Sequence, residues 1–119
     1  MVPDYDLALD FYVGLLGFAL IEDTPISAAR RWVLVAPTGA AETRILLARA
    51  EGRAQIDAIG NQAGGRVGFF LAVADFDAEY ARMHAAGVRF LETPRSEPYG
   101  KVAVWQDPFG NKWDLLEKG

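Results

Sequence analysis

Ala8, Phe11, Tyr12 and Leu15 recur at the three- and four-residue steps of one helical face, and Asp4 stands where it can cap that helix. The spacing predicts a helix over residues 4–16, ended by Gly17. Phe18-Ala19-Leu20-Ile21 reads as a strand, followed by a polar loop over residues 23–29. Residues 32–35 form a second strand, halted by Pro37-Thr38-Gly39, and residues 43–47 form the strand that returns. Residues 51–64 are a polar, glycine-containing connection with one helical turn at 55–59. Residues 67–73 are apolar on both parities, the pattern of a strand covered on both faces. Asp75 caps a second helix, in which Phe76, Tyr80 and Met83 share a face and Gly87 marks the end. A strand over 88–91 and a loop over 94–100 follow. The chain closes on a hairpin with arms at 102–105 and 113–116, because Pro108 presets φ for a turn and Gly110 or Asn111 accepts a positive φ.

The two halves repeat each other. Asp4-Tyr5-Asp6 is matched by Asp75-Phe76-Asp77, and Pro37-Thr38-Gly39 by Pro108-Phe109-Gly110, each pair 71 positions apart. Two copies cannot form a solenoid, so the repeat reads as an internal duplication. The second copy has the order βαβββ. The first lacks its opening strand, with only Met1-Val2-Pro3 ahead of Asp4. The expected layout is a first module over 1–52, a connection over 53–64 and a second βαβββ module over 65–119, together one compact α+β domain with helices outside mixed sheets. The missing strand leaves an edge open to pairing with a second chain, so a homodimer is expected.

Composition narrows the function. The 119 residues are 51% hydrophobic, yet no apolar run approaches the ~18 residues of a membrane span and no charged-then-apolar leader opens the chain. A cytoplasmic protein with no membrane partner is expected. With no cysteine, disulfides, thiolate metal sites and thiol nucleophiles are excluded. A net charge of −4 with scattered basic residues argues against nucleic acid as a partner.

A duplicated βαβββ unit carrying Ala-Leu-Asp-Phe-Tyr…Leu-Gly-Phe in its first half and Asp-Pro-Phe-Gly-Asn in its second resembles the vicinal oxygen chelate superfamily, which includes glyoxalase I, extradiol dioxygenases, fosfomycin-modifying enzymes and bleomycin-binding resistance proteins. The resemblance implies curved sheets around a cup-shaped cavity. In metal-using members a divalent ion is held there by a His or Gln on the first strand, a Glu closing the first half, a His opening the second half and a Glu after the final turn. Carried over one at a time, the last ligand falls on Asp114, the second-half His on Gly68 and the first-half Glu near Leu46, while the first-strand ligand has no counterpart. The usual metal centre is therefore not expected, and no cofactor is. A divalent metal held by oxygen donors such as Asp114, Glu92 or Glu117 stays open as the alternative.

Asp114 lies among Trp113, Leu115 and Leu116, where an unpaired charge is costly. Strand alternation sends Asp114 and Leu116 to the cup and Trp113 and Leu115 to the helices. The acid then either meets a ligand or is satisfied by Arg31, Arg44 or Lys101. The candidate ligand-binding set is Asp114, Gly68, Phe70, Leu46, Trp105, Tyr99 and Arg31, with Trp32 a further aromatic; no residue is assignable as catalytic. Each aromatic has an ordinary core role as its alternative. His84, the only histidine, sits in the second helix as a surface or boundary residue. Gly64-Gly65 with Gly68 is not a phosphate loop, since no helix follows directly. Three functions compete: a metal-independent binder of a small organic ligand, a metal-dependent lyase, isomerase or dioxygenase with substituted ligands, and a non-catalytic regulatory or interaction module.

Overall fold

The computed structural model describes residues 1–39 and 42–118, and divides into two units, Met1–Ile59 and Gly60–Gly119. Among the described residues the class is mixed α+β, with three helices and two sheets and no closed barrel.

In the first unit Asp4 caps α1 (Tyr5–Leu9) by accepting from the Leu7 N–H at 2.9 Å. The helix then widens into a π-helical continuation, Asp10–Leu15, whose closing bond runs from the Leu16 N–H to the Phe11 carbonyl. That extra residue per turn changes the phase of the buried face. Leu16 is buried and Leu15 is 42% exposed, the reverse of what an unbroken helical period assigns.

β1 (Ala19–Pro25) pairs antiparallel with β2 (Arg31–Ala36), and β2 with β3 (Ile45–Leu46). β1 extends through the stretch expected as loop. Its pairing continues to Pro25 opposite Arg31, and Arg31 fixes Asp23 on it. The expected return strand shortens to two residues. Val2 stands where an opening strand would, making one parallel bridge to Arg49 with bonds to the Ala48 carbonyl and from the Ala50 N–H. The expected helical turn is a seven-residue helix, α2 (Gly52–Ala58).

The second unit is a five-stranded sheet. β4 (Phe69–Val73) runs parallel to β8 (Lys112–Glu117), β8 pairs antiparallel with β7 (Gly100–Gln106), and β7 carries both β5 (Arg89–Phe90) and β6 (Arg95–Glu97). α3 (Phe76–Ala85) is capped by Asp75, which accepts from the Ala78 N–H. Two expectations are corrected. β4 is an edge strand with Phe70 exposed, so its continuous apolar run does not mark a strand covered on both faces within this unit. Residues 95–97, expected as loop, pair with β7, because the turn at 98–99 is tight enough to close a hairpin.

The core of this unit lies on one face of the sheet. Trp113 stacks on Trp105 at 5.0 Å between ring centroids and on Phe69 at 4.8 Å, with Leu71, Ala103 and Leu115 beside them and Phe76, Met83 and Val88 buried. Burial of this kind stabilises by about 1.5–3 kcal/mol for each large side chain. The 107–111 turn locks the hairpin. The buried Asp107 carboxylate accepts from the Phe109 and Asn111 backbone N–H groups and from Asn111 Nδ2, at 2.7–2.9 Å. Asn111 Oδ1 accepts in turn from the Gly60 N–H. Gly60 has φ +73°, and a Cβ there would stand 2.5 Å from the Phe109 carbonyl oxygen, so only glycine fits.

Candidate functional site

Cross-strand register sorts the second sheet into two faces. Trp113, Leu115, Trp105, Ala103, Phe69 and Leu71 share the core face. Asp114 sits opposite Phe70 on β4 and Val104 on β7, and Leu116 opposite Ala72 and Val102, on the other face. That second face is partly open. Phe70 is 69% exposed and Ala72 is exposed, while Asp114, Val104 and Leu116 are half-buried.

The carboxylate on this face is in an uncomfortable position. Asp114 Oδ1 is shielded from solvent and has no hydrogen-bond partner among the described residues. Burial raises the Asp114 pKa above the usual carboxylate value, the nearby Arg95 opposes the rise, and the Glu92 charge adds to it. Arg95 does not relieve the acid, because its guanidinium is already shared. It donates to Glu92 at 3.2 Å and to Glu97 at 2.5 Å. Glu92 is committed too, accepting from the Val104 backbone N–H at 2.9 Å. A desolvated acid beside an exposed aromatic ring can accept from a donor group on an organic molecule that stacks against that ring.

The structure brings Asp114 and Phe70 together, with Tyr99 exposed on the turn between β6 and β7. Gly68, two residues before Phe70, is exposed and anchored by its N–H to the Lys112 carbonyl. Trp105 is separated from them: it is fully buried on the core face against Trp113. Leu46 and Arg31 belong to the first unit. Leu46 is exposed on β3 opposite Leu34, and Trp32 is exposed on β2. Arg31 is occupied by Asp23 at 2.6 Å and Asp6 at 2.9 Å, lies over the Tyr5 ring, and donates its backbone N–H to the Tyr5 hydroxyl. Neither Arg31 nor Lys101, which pairs with Asp77, satisfies Asp114. His84 is exposed on α3, its ring 5.8 Å from that of Tyr80. Sequence reasoning missed Arg95 altogether. Its signal, Glu92-x-x-Arg95-x-Glu97, is an exposed charge pattern whose relation to Asp114 arises only from strand pairing.

The family model described as the Glyoxalase/Bleomycin resistance protein/Dioxygenase superfamily matches residues 1–115. The chain belongs to that superfamily. It is 51% identical to a protein of Shewanella frigidimarina over 98% of this chain and 87% of that one. Among solved structures it resembles UcmS2 with a TM-score of 0.84 at 31% identity, covering 97% of this chain and 90% of that chain. It also resembles TnmS3, an antibiotic binding protein from Streptomyces sp. CB03234, with a TM-score of 0.77 at 33% identity, covering 99% and 89%.

Superfamily membership raises the question of a metal, and the donors on this face do not fit one. Among the described residues no three of His, Cys, Asp or Glu gather closely enough to hold an ion. Glu92 is held by Arg95 and a backbone N–H, Gly68 and Leu46 offer no side-chain donor, and Asp114 is left as a single acid with a guanidinium nearby. No helix among the described residues is long and apolar enough to cross a membrane.

Proposed function

We propose that this chain binds a small organic molecule on the open face of the second sheet, without a metal centre, with Asp114 accepting a hydrogen bond or a cationic group and Phe70 stacking on the ligand. The observation that carries the reading is the shielded, unpartnered Asp114 Oδ1 opposite a ring that is 69% exposed. Folding alone gives no return for either: a desolvated carboxylate oxygen costs stability and an exposed phenyl gains none, while a ligand with a donor group and a flat apolar surface engages both. The likeness to an antibiotic binding protein at 33% identity supports the same class of ligand. Tyr99 closes the turn side of the site, and Gly68 leaves the strand end unobstructed.

The protein acts as a homodimer in the cytoplasm in this reading. Every residue of β1 is exposed, Leu20 and Ile21 included, which is the profile of an edge that a second chain covers. The absence of cysteine makes the fold indifferent to a reducing compartment.

Calorimetric titration with aromatic antibiotics that carry an amine, before and after dialysis against a chelator, tests the assignment. Saturable binding that survives the chelator and falls about tenfold or more in Asp114→Asn and in Phe70→Ala is expected. Binding that disappears with the chelator and returns with a divalent metal would replace this reading with the metal-dependent one.

A further inference from the structure

A cavity of about 160 Å³ lies where β4 and β8 begin, next to the Phe70–Asp114 register pair, lined by Gly60, Gln62, Ala63, Arg66, Gly68, Phe69, Asn111 and Lys112. Two of these residues are charged, and both are cationic. In a chain of net charge −4, a concave site with two positive side chains and no acid on its wall is a local exception. The Asp107 carboxylate stands behind the wall, spent on the turn and on Asn111. No carboxylate among the described residues forms an ion pair with Arg66 or Lys112; the same holds for Arg44, Arg89 and Lys118, but those three do not line this cavity.

The cavity is built by backbone geometry that keeps it open. Gly64 and Gly65 have φ of +67° and +93°, and the turns from Asn61 to Gly64 and from Ala63 to Arg66 fold the segment back. That fold sets the Gly65 carbonyl 3.1 Å from Lys112 Nζ and so holds the ammonium at the cavity. Lys112 keeps two further N–H donors for a second partner. Gly68 presents no side chain, and a Cβ there would meet nothing nearer than Ala63 Cβ at 3.7 Å. Asn111 is locked by Asp107 and Gly60 and forms a rigid wall.

We propose that this cavity binds a small oxyanion, a carboxylate or phosphate group, between the Arg66 guanidinium and the Lys112 ammonium. The fork of Arg66 matches two oxygens of such a group, and Lys112 supplies a point charge from the strand side. The side chains do the binding, not a helix N-terminus, consistent with a glycine segment that leads into a strand. The site adjoins the Asp114–Phe70 pair, since Lys112 and Gly68 precede those two residues by two positions, and it is told apart by its cations.

Amide chemical shifts of the full-length chain, followed while inorganic phosphate and acetate are added in separate titrations at constant ionic strength, test the site. Saturable shifts confined to residues 60–68 and 111–112 are expected, weakened about tenfold or more in Arg66→Gln and in Lys112→Gln, with the rest of the spectrum unchanged. Saturation by phosphate alone or by acetate alone identifies which oxyanion the cavity takes. Shifts that drift without saturating in both titrations, as with chloride, or an affinity unaltered in Arg66→Gln, would overturn the proposal.

Discussion

Replacing Asp114 by Asn keeps the side-chain shape and removes the charge, so its effect on stability reports whether the fold or a ligand needs that carboxylate. The shielded Oδ1 has no partner among the described residues, and Arg95, the cation that opposes the rise, is divided between Glu92 and Glu97. Burial therefore dominates and the Asp114 pKa lies above its ordinary 3.8. Between 3.8 and the raised value the folded chain binds more protons than the unfolded one, so stability falls as pH climbs through that window. Above it the ionised acid is a constant burden. Asn keeps the unpartnered polar atom and removes only its charge, so what is recovered is the cost of burying that charge less the attraction of Arg95, on the order of 1 kcal/mol. For a chain of this length that is a rise in Tm of roughly 3–6 °C. Calorimetric melts of both proteins from pH 3 to pH 8 check it: Asp114→Asn should melt higher at neutral pH, with the gap closing as the acid protonates. A variant that melts several degrees lower at neutral pH would refute the reasoning, because the carboxylate would then be a structural acceptor.

Gly60→Ala should destabilise by about 1–3 kcal/mol in denaturant unfolding, since its Cβ meets the Phe109 carbonyl oxygen at 2.5 Å in a left-handed conformation. Asp107→Ala removes the acceptor for the Phe109 and Asn111 N–H groups and Asn111 Nδ2 in a buried turn and should cost about 3 kcal/mol in the same assay, far more than the exposed pair change Arg82→Ala at under about 1 kcal/mol. Sedimentation at micromolar concentration should show a dimer, and Ile21→Lys on β1 should shift it toward monomer; a wild-type monomer would contradict the edge-strand argument.

The sequence was informative where local chemistry and period decide. Asp4 and Asp75 cap helices, the Pro108–Asn111 turn closes a hairpin, and period two separates Trp113 and Leu115 from Asp114 and Leu116. It was misleading where a tertiary partner decides. The π-helical turn buries Leu16 in place of Leu15, a one-residue phase change that hydrophobic spacing cannot register. The run over 67–73 is equally apolar whether its strand is central or at an edge, and only pairing shows that Phe70 is open. Arg31 looked available beside Arg30, but Asp6 and Asp23, remote in sequence, converge on it. Trp105 and Phe70 are similar as aromatic strand residues. Register alone puts one in the core and the other opposite Asp114. For the same reason Arg95 enters the site unannounced, and Glu92, named from the sequence as a metal donor, stands there instead as a partner of Arg95: their approach to Asp114 follows from how β6 and β7 pair.

Ligand affinity measured with and without metal bears most directly on the central claim. Metal-stripped wild-type protein should bind an amine-bearing aromatic antibiotic with the same Kd as protein supplied with zinc, nickel, manganese or iron, and Asp114→Asn should bind it about tenfold or more weakly. A stoichiometric metal in the purified protein, or an affinity for the antibiotic that appears only when metal is added, would contradict the account.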